Sequence, residues 1–196
     1  MAKLHFKYGA MNSGKSDTLI KTAFNYTEQG LYVATIKPTA DTKSEQFIVA
    51  RGGASRLVDI MASPDTDLRQ AVELFIGRQA LACVLVDEAQ FLSGPQIDQL
   101  FNIAKIDDVS VIAYGLRTDF RTQLFAGSKR LLELADNIEK IPTMCGCGSQ
   151  AEFNCRKQGD RFIFVGEQVA IDGKEATTYK SMCGKCYDRE KADSLA

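Results

Sequence analysis

Gly9-Ala10-Met11-Asn12-Ser13-Gly14-Lys15-Ser16 is the segment that indicates the fold class most directly. It fits the pattern G-x-x-x-x-G-K-[ST], and it joins Leu4–Tyr8, which predicts a β-strand, to Ser16–Gln29, whose apolar residues recur at helical spacing. In such a loop the backbone N–H groups surround phosphate oxygens, Lys15 neutralises the β- and γ-phosphates, and the Ser16 hydroxyl holds Mg²⁺. The segment therefore predicts a loop that binds a nucleoside triphosphate, against the alternative of a chance glycine-rich turn.

A pair of acidic residues follows an apolar run. Cys83–Asp87 predicts a buried strand that ends in Asp87 at its carboxyl edge, with Glu88 next in the chain. We expect Asp87 to face the metal ion and Glu88 to accept a proton from an attacking hydroxyl or water. An ordinary carboxylate at a helix start is the alternative for Glu88. Together with the loop, this pair predicts phosphoryl transfer and leaves both a kinase and an ATPase open.

Five of the six cysteines lie in the last third of the chain. Cys145-Gly-Cys147 and Cys183-Gly-Lys-Cys186 form two close pairs, a spacing that suits one tetrahedral Zn²⁺ better than a disulfide framework. Because four thiolates close the coordination shell, the predicted zinc is structural. Cys155 is a competing ligand, and five independent thiols are the alternative.

The chain changes character at about residue 143. Before it, short β-rich runs alternate with helical runs, which favours βαβ units. The predicted fold class is α/β: a P-loop NTPase-like, mainly parallel sheet flanked by helices, followed by a small β-rich zinc-ribbon domain. We expect domains at 1–143 and 144–190 and a polar tail at 191–196. The other predicted elements are strands at 31–37, 56–61, 109–114, 138–142, 151–156, 161–165, 168–171 and 179–182, helices at 65–79, from Pro95 and at 128–135, and a loop or hairpin at 39–55.

Charge and hydropathy limit the classes of partner that we expect this chain to bind. Lys and Arg total 24 against 25 for Asp and Glu, and a formal net charge of −1 disfavours nonspecific binding to nucleic acid. The longest apolar stretch, around 80–86, is far too short to cross a bilayer, and the N-terminus shows no signal-peptide pattern. We therefore expect a cytoplasmic protein that binds neither nucleic acid nor a membrane.

The order of the motifs resembles the type II thymidine kinases, the cytosolic and bacterial family. The resemblance runs from about Lys3 to Tyr187 and rests on the phosphate loop, Asp87-Glu88-Ala89-Gln90-Phe91, Tyr114–Arg121 and the zinc ribbon. It implies transfer of the ATP γ-phosphate to the 5′-hydroxyl of thymidine or deoxyuridine, with Glu88 as the general base. It also implies Mg²⁺ with ATP, a structural Zn²⁺, feedback inhibition by dTTP and a homotetramer.

The resemblance also assigns site residues. Mg²⁺ contacts are implied for Ser16 and Asp87. Triphosphate contacts are implied for Gly9, Ala10, Met11, Asn12, Ser13, Gly14, Lys15, Ser16, Asp87, Glu88, Ala89, Gln90, Asp41 and Lys43, the last of which stands where the family has arginine. Nucleoside contacts are implied for Met11, Phe91, Leu116, Phe120, Phe125, Gln168, Val169, Ala170, Ile171, Asp172 and Tyr179, with core packing as the alternative for each phenylalanine.

Two other functions compete with the kinase. A nucleic-acid-stimulated ATPase with a zinc ribbon would share the loop, the acidic pair and the cysteines, although its charge would normally be more basic. A zinc-ribbon interaction module with a nucleotide switch would bind nucleotide without turning over a small nucleoside. Stimulation of ATP hydrolysis by DNA separates the first of these from a kinase.

Overall fold

A computed structural model describes residues 1–40, 46–77, 80–168 and 177–194 of the chain. Within these ranges the strands are β1 Leu4–Tyr8, β2 Tyr32–Pro38, β3 Phe47–Val49, β4 Ser55–Leu57, β5 Ile60–Ala62, β6 Leu81–Val86, β7 Ser110–Gly115, β8 Asn137–Lys140, β9 Phe153–Gln158, β10 Arg161–Ile163 and β11 Thr177–Met182. The α-helices are α1 Lys15–Glu28, α2 Leu68–Ile76, α3 Gly94–Lys105, α4 Ala126–Leu134 and α5 Gly184–Asp193.

Six strands form a parallel sheet in the order β5-β2-β6-β7-β1-β8. β1 lies between β7 and β8, with Leu4 opposite Val111 and Tyr8 opposite Lys140. Because the strands run in one direction, their carboxyl ends meet at one edge. The phosphate loop follows β1 and Asp87 follows β6, so both lie at that edge with β7 between their strands. The predicted α/β fold with a mainly parallel sheet is confirmed.

The side chains of strand β6 are buried on both faces of the sheet. Every residue of Cys83–Val86 is 0% exposed. Successive side chains of a strand point to opposite faces, and those of β6 divide accordingly between two apolar clusters, one containing Leu100 of α3 and the other Leu19 of α1. Such a continuous apolar run is typical of a parallel strand with helices on both sides.

A second, antiparallel sheet has the strand order β10-β9-β11. Tyr179 of β11 lies opposite Arg156 of β9, and Ser181 lies opposite Asn154. This sheet and α5 share a small core, to which Met182 belongs. The β-rich character predicted after residue 143 is present here, whereas the domain division at that residue stays a prediction.

Two predicted elements differ from the structure because of local hydrogen bonds. The single strand predicted at 56–61 is two strands, β4 and β5, because Asp59 between them turns its carboxylate to the backbone N–H and hydroxyl of Thr35, at 2.8 and 2.7 Å. The helix predicted from residue 65 begins at Leu68 because Asp67 caps it, accepting a hydrogen bond from the N–H of Gln70 at 3.0 Å.

Other differences lie outside the main sheet. Helix α5 was not predicted, and it extends into the predicted tail as far as Asp193. It leaves no periodic apolar pattern because only Cys186 and Tyr187 of this helix are buried. The predicted loop or hairpin at 39–55 contains the β3-β4 hairpin, while 41–45 lie outside the described residues. Of the strand predicted at 168–171, Gln168 is not in a strand and the rest is outside the described residues.

No helix in the described ranges has both the length and the apolar character needed to span a membrane.

Candidate active site

The loop between β1 and α1 is shaped by close backbone approach. A Cβ atom at Gly9 would lie 2.4 Å from Ser13 Oγ and 2.7 Å from the carbonyl oxygen of Ile141, so only glycine fits there. Gly14 adopts a left-handed conformation with φ of 79° immediately before α1. The loop therefore ends at the N-terminus of a helix of 14 residues, where unpaired N–H groups favour an anion.

Lys15 lies inside this loop rather than in solvent. Its side chain is buried, and its ammonium group donates to the carbonyl oxygens of Ala10 and Gly9 at 3.1 and 3.4 Å. Burial lowers the pKa of Lys15, whereas the nearby carboxylates of Glu88 and Asp87 act in the opposite direction. The cation is thus held beside two acids at the strand edge, where it can meet the charge of a polyphosphate.

Ser16 and Asp87 join the loop to the end of β6. The Ser16 hydroxyl donates to the Asp87 carboxylate at 3.1 and 3.4 Å. Burial, and then the neighbouring charge of Glu88, raise the pKa of Asp87 to about 7. A hydroxyl and a carboxylate are oxygen ligands of the kind that Mg²⁺ prefers, and the charge of a bound cation would oppose the rise in the pKa of Asp87. The two predicted magnesium ligands are therefore together.

Replacing Asp87 by Asn is expected to stabilise the nucleotide-free protein at pH 8. An acid whose pKa is higher in the folded state than its ordinary 3.8 favours folding when protonated, so its stability contribution falls as pH rises from about 4 to about 7. Asp87→Asn removes this cost, and without nucleotide or added Mg²⁺ the free energy of unfolding should rise by on the order of a few kcal/mol at pH 8 and little at pH 4.

Urea unfolding at the two pH values measures this effect. Asp98, a half-buried surface carboxylate that pairs with Arg130, is replaced in the same way as the matched control and should show no such pH-dependent gain. An Asp87→Asn protein that is less stable than wild type at pH 8 would contradict the interpretation that burial of an ionised Asp87 carboxylate costs stability.

Glu88 sits at a sharp reversal of the chain. Its φ is 48°, in the left-handed region, where a residue other than glycine costs about 1 kcal/mol, and a 3₁₀ turn at Ala89–Phe91 follows directly. The buried side chain of Gln90 donates to the Glu88 carboxylate at 2.5 Å and accepts from the N–H of Leu116 at 2.9 Å. Backbone strain of this kind clusters at functional sites. Gln90 therefore fixes a half-buried carboxylate at the end of β6.

The position of the Gln90 side chain explains why the residue before Leu116 is glycine. A Cβ atom at residue 115 would lie 2.8 Å from the Gln90 side-chain oxygen. The glycine leaves room for the amide that holds Glu88.

A cleft of about 230 Å³ opens beside the 3₁₀ turn. The rings of Phe91 and Phe125 meet edge to face with their centroids 5.7 Å apart, a favoured arrangement for two aromatic groups. Both rings line the cleft, as does Gln90. The other lining residues are Pro38, Thr39, Ala40, Ala62, Pro64, Leu92, Ser93, Gln96, Ala126 and Gln168. An apolar cleft with a few amide groups suits a small planar ligand.

Of the other predicted nucleoside contacts, those that the structure describes do not line this cleft; they are Met11, Leu116, Phe120 and Tyr179. Phe120 is 1% exposed, and its ring lies under the guanidinium of Arg156 at 3.7 Å. The Tyr179 hydroxyl accepts a hydrogen bond from Arg156 Nε at 3.0 Å, while Leu116 is tied to Gln90. The predicted contacts Asp41, Lys43, Val169, Ala170, Ile171 and Asp172 lie outside the described residues.

Met11 connects the phosphate loop to the second sheet. Its N–H donates to the side-chain oxygen of Asn154 in β9 at 2.7 Å, and its carbonyl accepts from the hydroxyl of Ser181 in β11 at 2.5 Å. Both polar side chains are buried. Neither residue belongs to a motif, so this contact was not predicted from the sequence. The cysteine-bearing part of the chain therefore supports the loop directly.

The two predicted cysteine pairs come together. The Sγ atoms of Cys145, Cys147, Cys183 and Cys186 lie within 4.8 Å of one another, and those of Cys147 and Cys183 are 3.6 Å apart. Tetrahedral zinc with Zn–S bonds of ~2.3 Å needs sulfur separations of ~3.8 Å. Among the described residues Cys155 is not part of this group. The four thiols fit a structural Zn²⁺.

Backbone N–H groups prepare two of these sulfurs to bind a cation. Hydrogen bonds from the backbone of Cys147 and Cys183 lower the pKa of Cys145. Hydrogen bonds from the backbone and side chain of Ser149, and from neighbouring thiols, lower the pKa of Cys147 to about 6. Hydrogen bonds from the protein favour the thiolate, which is the form that binds metal. Both sulfurs thus already lie in surroundings that suit the ligand form.

Comparison with known proteins gives a consistent family. The family model described as "Thymidine kinase" matches residues 2–187. A thymidine kinase of Legionella pneumophila (strain Philadelphia 1) is 40% identical over 195 residues, covering 98% of this chain and 92% of the relative. One from Photorhabdus laumondii is 39% identical over 189 residues (95% and 92%), and one from Xanthomonas axonopodis pv. citri is 44% identical over 177 residues (89% and 85%).

Proposed function

The chain belongs to the thymidine kinase family, and from this premise we propose that it transfers the γ-phosphoryl group of ATP to the 5′-hydroxyl of thymidine, and also of deoxyuridine. The observation that carries the proposal is the position of Gln90. Its side chain holds the Glu88 carboxylate, and the same residue lines the cleft. A hydroxyl that extends from a nucleoside in this cleft would therefore approach Glu88.

The residues divide the reaction between them. Glu88 accepts the proton of the 5′-hydroxyl as its oxygen forms a bond to the γ-phosphorus, while the bond from this phosphorus to the bridging oxygen breaks and ADP leaves. Lys15 and the N–H groups of the loop stabilise the charge on the transferring group. Ser16 and Asp87 would hold Mg²⁺, which supplies further positive charge to the phosphate oxygens.

The cleft accounts for the choice of a planar base. Phe91 and Phe125 offer aromatic surface to a pyrimidine ring, and the backbone and side-chain amides of Gln168 offer polar groups for its edge. We propose the other nucleoside contacts of the family, including Leu116, Phe120, Tyr179 and Val169–Asp172, on the basis of the resemblance alone. Asp41 and Lys43 are proposed in the same way as phosphate contacts.

We also extend the family's assembly and regulation to this chain. The resemblance supports a cytoplasmic homotetramer that dTTP inhibits, with a domain boundary near residue 143. The zinc is proposed as structural, because four thiolates leave no position for a reacting water.

One assay tests the proposed activity. Purified protein is incubated with radiolabelled thymidine, ATP and Mg²⁺, and the product is separated to detect the monophosphate. Deoxyuridine is tested in parallel, and DNA is added to a third sample while ATP hydrolysis is followed. Formation of dTMP supports the proposal; ATP hydrolysis that DNA stimulates, without any dTMP, would instead favour a nucleic-acid ATPase.

A further inference from the structure

Two arginines hold three consecutive backbone carbonyls at the side of the cleft. Arg121 Nη1 donates to the carbonyl oxygen of Gly166 at 2.9 Å. Arg156 donates from Nη1 to Glu167 at 2.9 Å and from Nη2 to Gln168 at 3.1 Å. A guanidinium group presents its donors in a fixed plane, so Arg156 sets the positions of two adjacent peptide groups at once.

Arg156 is itself held on its other sides. The residue is 7% exposed, its Nε donates to the Tyr179 hydroxyl at 3.0 Å, and its guanidinium lies 3.7 Å from the centre of the Phe120 ring. Contact with an aromatic face attracts a cation and restricts its orientation. A neighbour on strand β11 and one in a loop therefore determine where the fork points.

Arg156 bears a buried charge without an ionic partner in the described parts of the chain, where no carboxylate forms a salt bridge with it. Burying a cation against neutral groups is costly, and an apolar side chain would fill the same space without this cost. What an apolar side chain cannot supply is the fork that binds Glu167 and Gln168. The planar arrangement of its N–H donors is therefore what the buried guanidinium contributes here, in return for the cost of burying its charge.

The held segment forms part of the cleft wall. Gln168 lines the cleft, and its side-chain amide donates to the carbonyl oxygen of Leu124 at 3.4 Å, next to the lining residue Phe125. A shift of Gln168 would change the width of the cleft between its backbone and the two phenylalanine rings. A change in the position of the Arg156 fork would therefore change the size of the space that the nucleoside would occupy.

We infer that Arg156 is a positioning residue for the nucleoside, which sets the cleft wall at Gln168 without touching the phosphate donor. This inference rests on the proposed function. It also gives Phe120 and Tyr179 a task in addition to the nucleoside contact proposed from the resemblance: the Phe120 ring supports the guanidinium, and the Tyr179 hydroxyl orients it.

Arg156→Lys is the first variant to test. Lysine keeps the charge but loses the planar fork, so the KM for thymidine should rise about tenfold, the effect of losing one or two hydrogen bonds to a charged group. The KM for ATP and the kcat should change by less than about twofold, because Arg156 contacts no residue of the phosphate loop. Arg69→Lys is the matched control, since Arg69 also uses its guanidinium fork, on Asp107 at the surface.

A double-mutant cycle separates positioning from direct contact. Tyr179→Phe alone should raise the KM for thymidine about threefold, and it should add almost nothing in the Arg156→Lys background if its hydroxyl acts through Arg156. Independent, additive effects would overturn the role given to Tyr179. Cleavage after the exposed Glu167 by a glutamate-specific protease should become faster in Arg156→Lys than in the Arg69→Lys control, because the held segment loses its fixed position.

The outcomes distinguish this inference from the proposed function. A wild-type protein that forms no dTMP overturns the proposed function and the inference with it. An active wild type whose Arg156→Lys variant has an unchanged KM for thymidine, or a KM for ATP that rises equally, overturns the inference alone. An unchanged rate of cleavage after Glu167 would also overturn it, whatever the activity of the variant.

Discussion

Glu88→Gln is expected to lower the kcat for thymidine phosphorylation at least ~100-fold, the lower range for removal of a positioned general base. Glutamine has nearly the size of glutamate and can still accept the hydrogen bond from Gln90, so the chain reversal after β6 should persist. It cannot accept the proton of the 5′-hydroxyl. Because the phosphate loop and the cleft stay intact, the KM values for ATP and thymidine should change little, and the loss should appear in kcat.

Steady-state kinetics with saturating ATP measure this loss. Glu133→Gln is the matched control, because Glu133 pairs with Arg130 on the surface of α4 and should leave kcat unchanged. Thermal unfolding of both variants checks that the fold is kept. If Glu88→Gln retained more than about a tenth of the wild-type kcat, Glu88 would not be the base that the proposed mechanism requires.

The parts of the site that follow from the sequence are those in which a short segment determines its own geometry. The phosphate loop needs its glycines because its backbone turns sharply, and β6 needs an unbroken apolar run because helices cover both of its faces. Each requirement leaves a local pattern. The sequence could therefore predict the parallel sheet, the Ser16–Asp87 pair and the four thiols before any distance was known.

The parts that the sequence could not predict depend on residues far apart in the chain. Met11 is bound by Asn154 and Ser181, which are 143 and 170 positions away, and neither side chain is unusual for a β-strand. Their partner is set by how the second sheet packs on the loop. An Asn or Ser in a short strand has many possible partners, so its type alone carries no signal of a loop contact.

Aromatic residues show a related limit on what can be predicted from the sequence. Phe91 and Phe120 both lie in motifs that resemble the family's, yet the structure places the Phe91 ring in the cleft and the Phe120 ring under a guanidinium. A phenylalanine fits either environment because both offer apolar contact and an edge or face for a polar group. Only the position of Arg156, fixed by strand pairing with Tyr179, distinguishes them.

Cys147→Ser is expected to abolish zinc binding and, with it, most of the activity. Cys147 is exposed, so the change removes a ligand while disturbing little packing. Binding of structural zinc contributes about 10–16 kcal/mol in small zinc-binding units, as much as the whole stability of many domains. We therefore expect kcat/KM to fall below about 1% of the wild-type value, and zinc per chain, measured by atomic absorption, to fall from about one to near zero.

Loss of zinc should weaken the binding of ATP as well as that of thymidine, because the second sheet contacts both parts of the site. Asn154 and Ser181 hold Met11 in the phosphate loop, while Arg156 of the same sheet holds the cleft wall at Gln168. If β9 and β11 lose their order without zinc, both substrates lose a supporting contact, and the KM values for both should rise.

Cys155→Ser is the matched control. Cys155 is 0% exposed and lies outside the four-thiol group, so its replacement should cost stability but leave the zinc content unchanged. A zinc-free Cys147→Ser protein with wild-type kinetics would show that the sheet keeps its order without the metal, and that the four thiols do not support the phosphate loop.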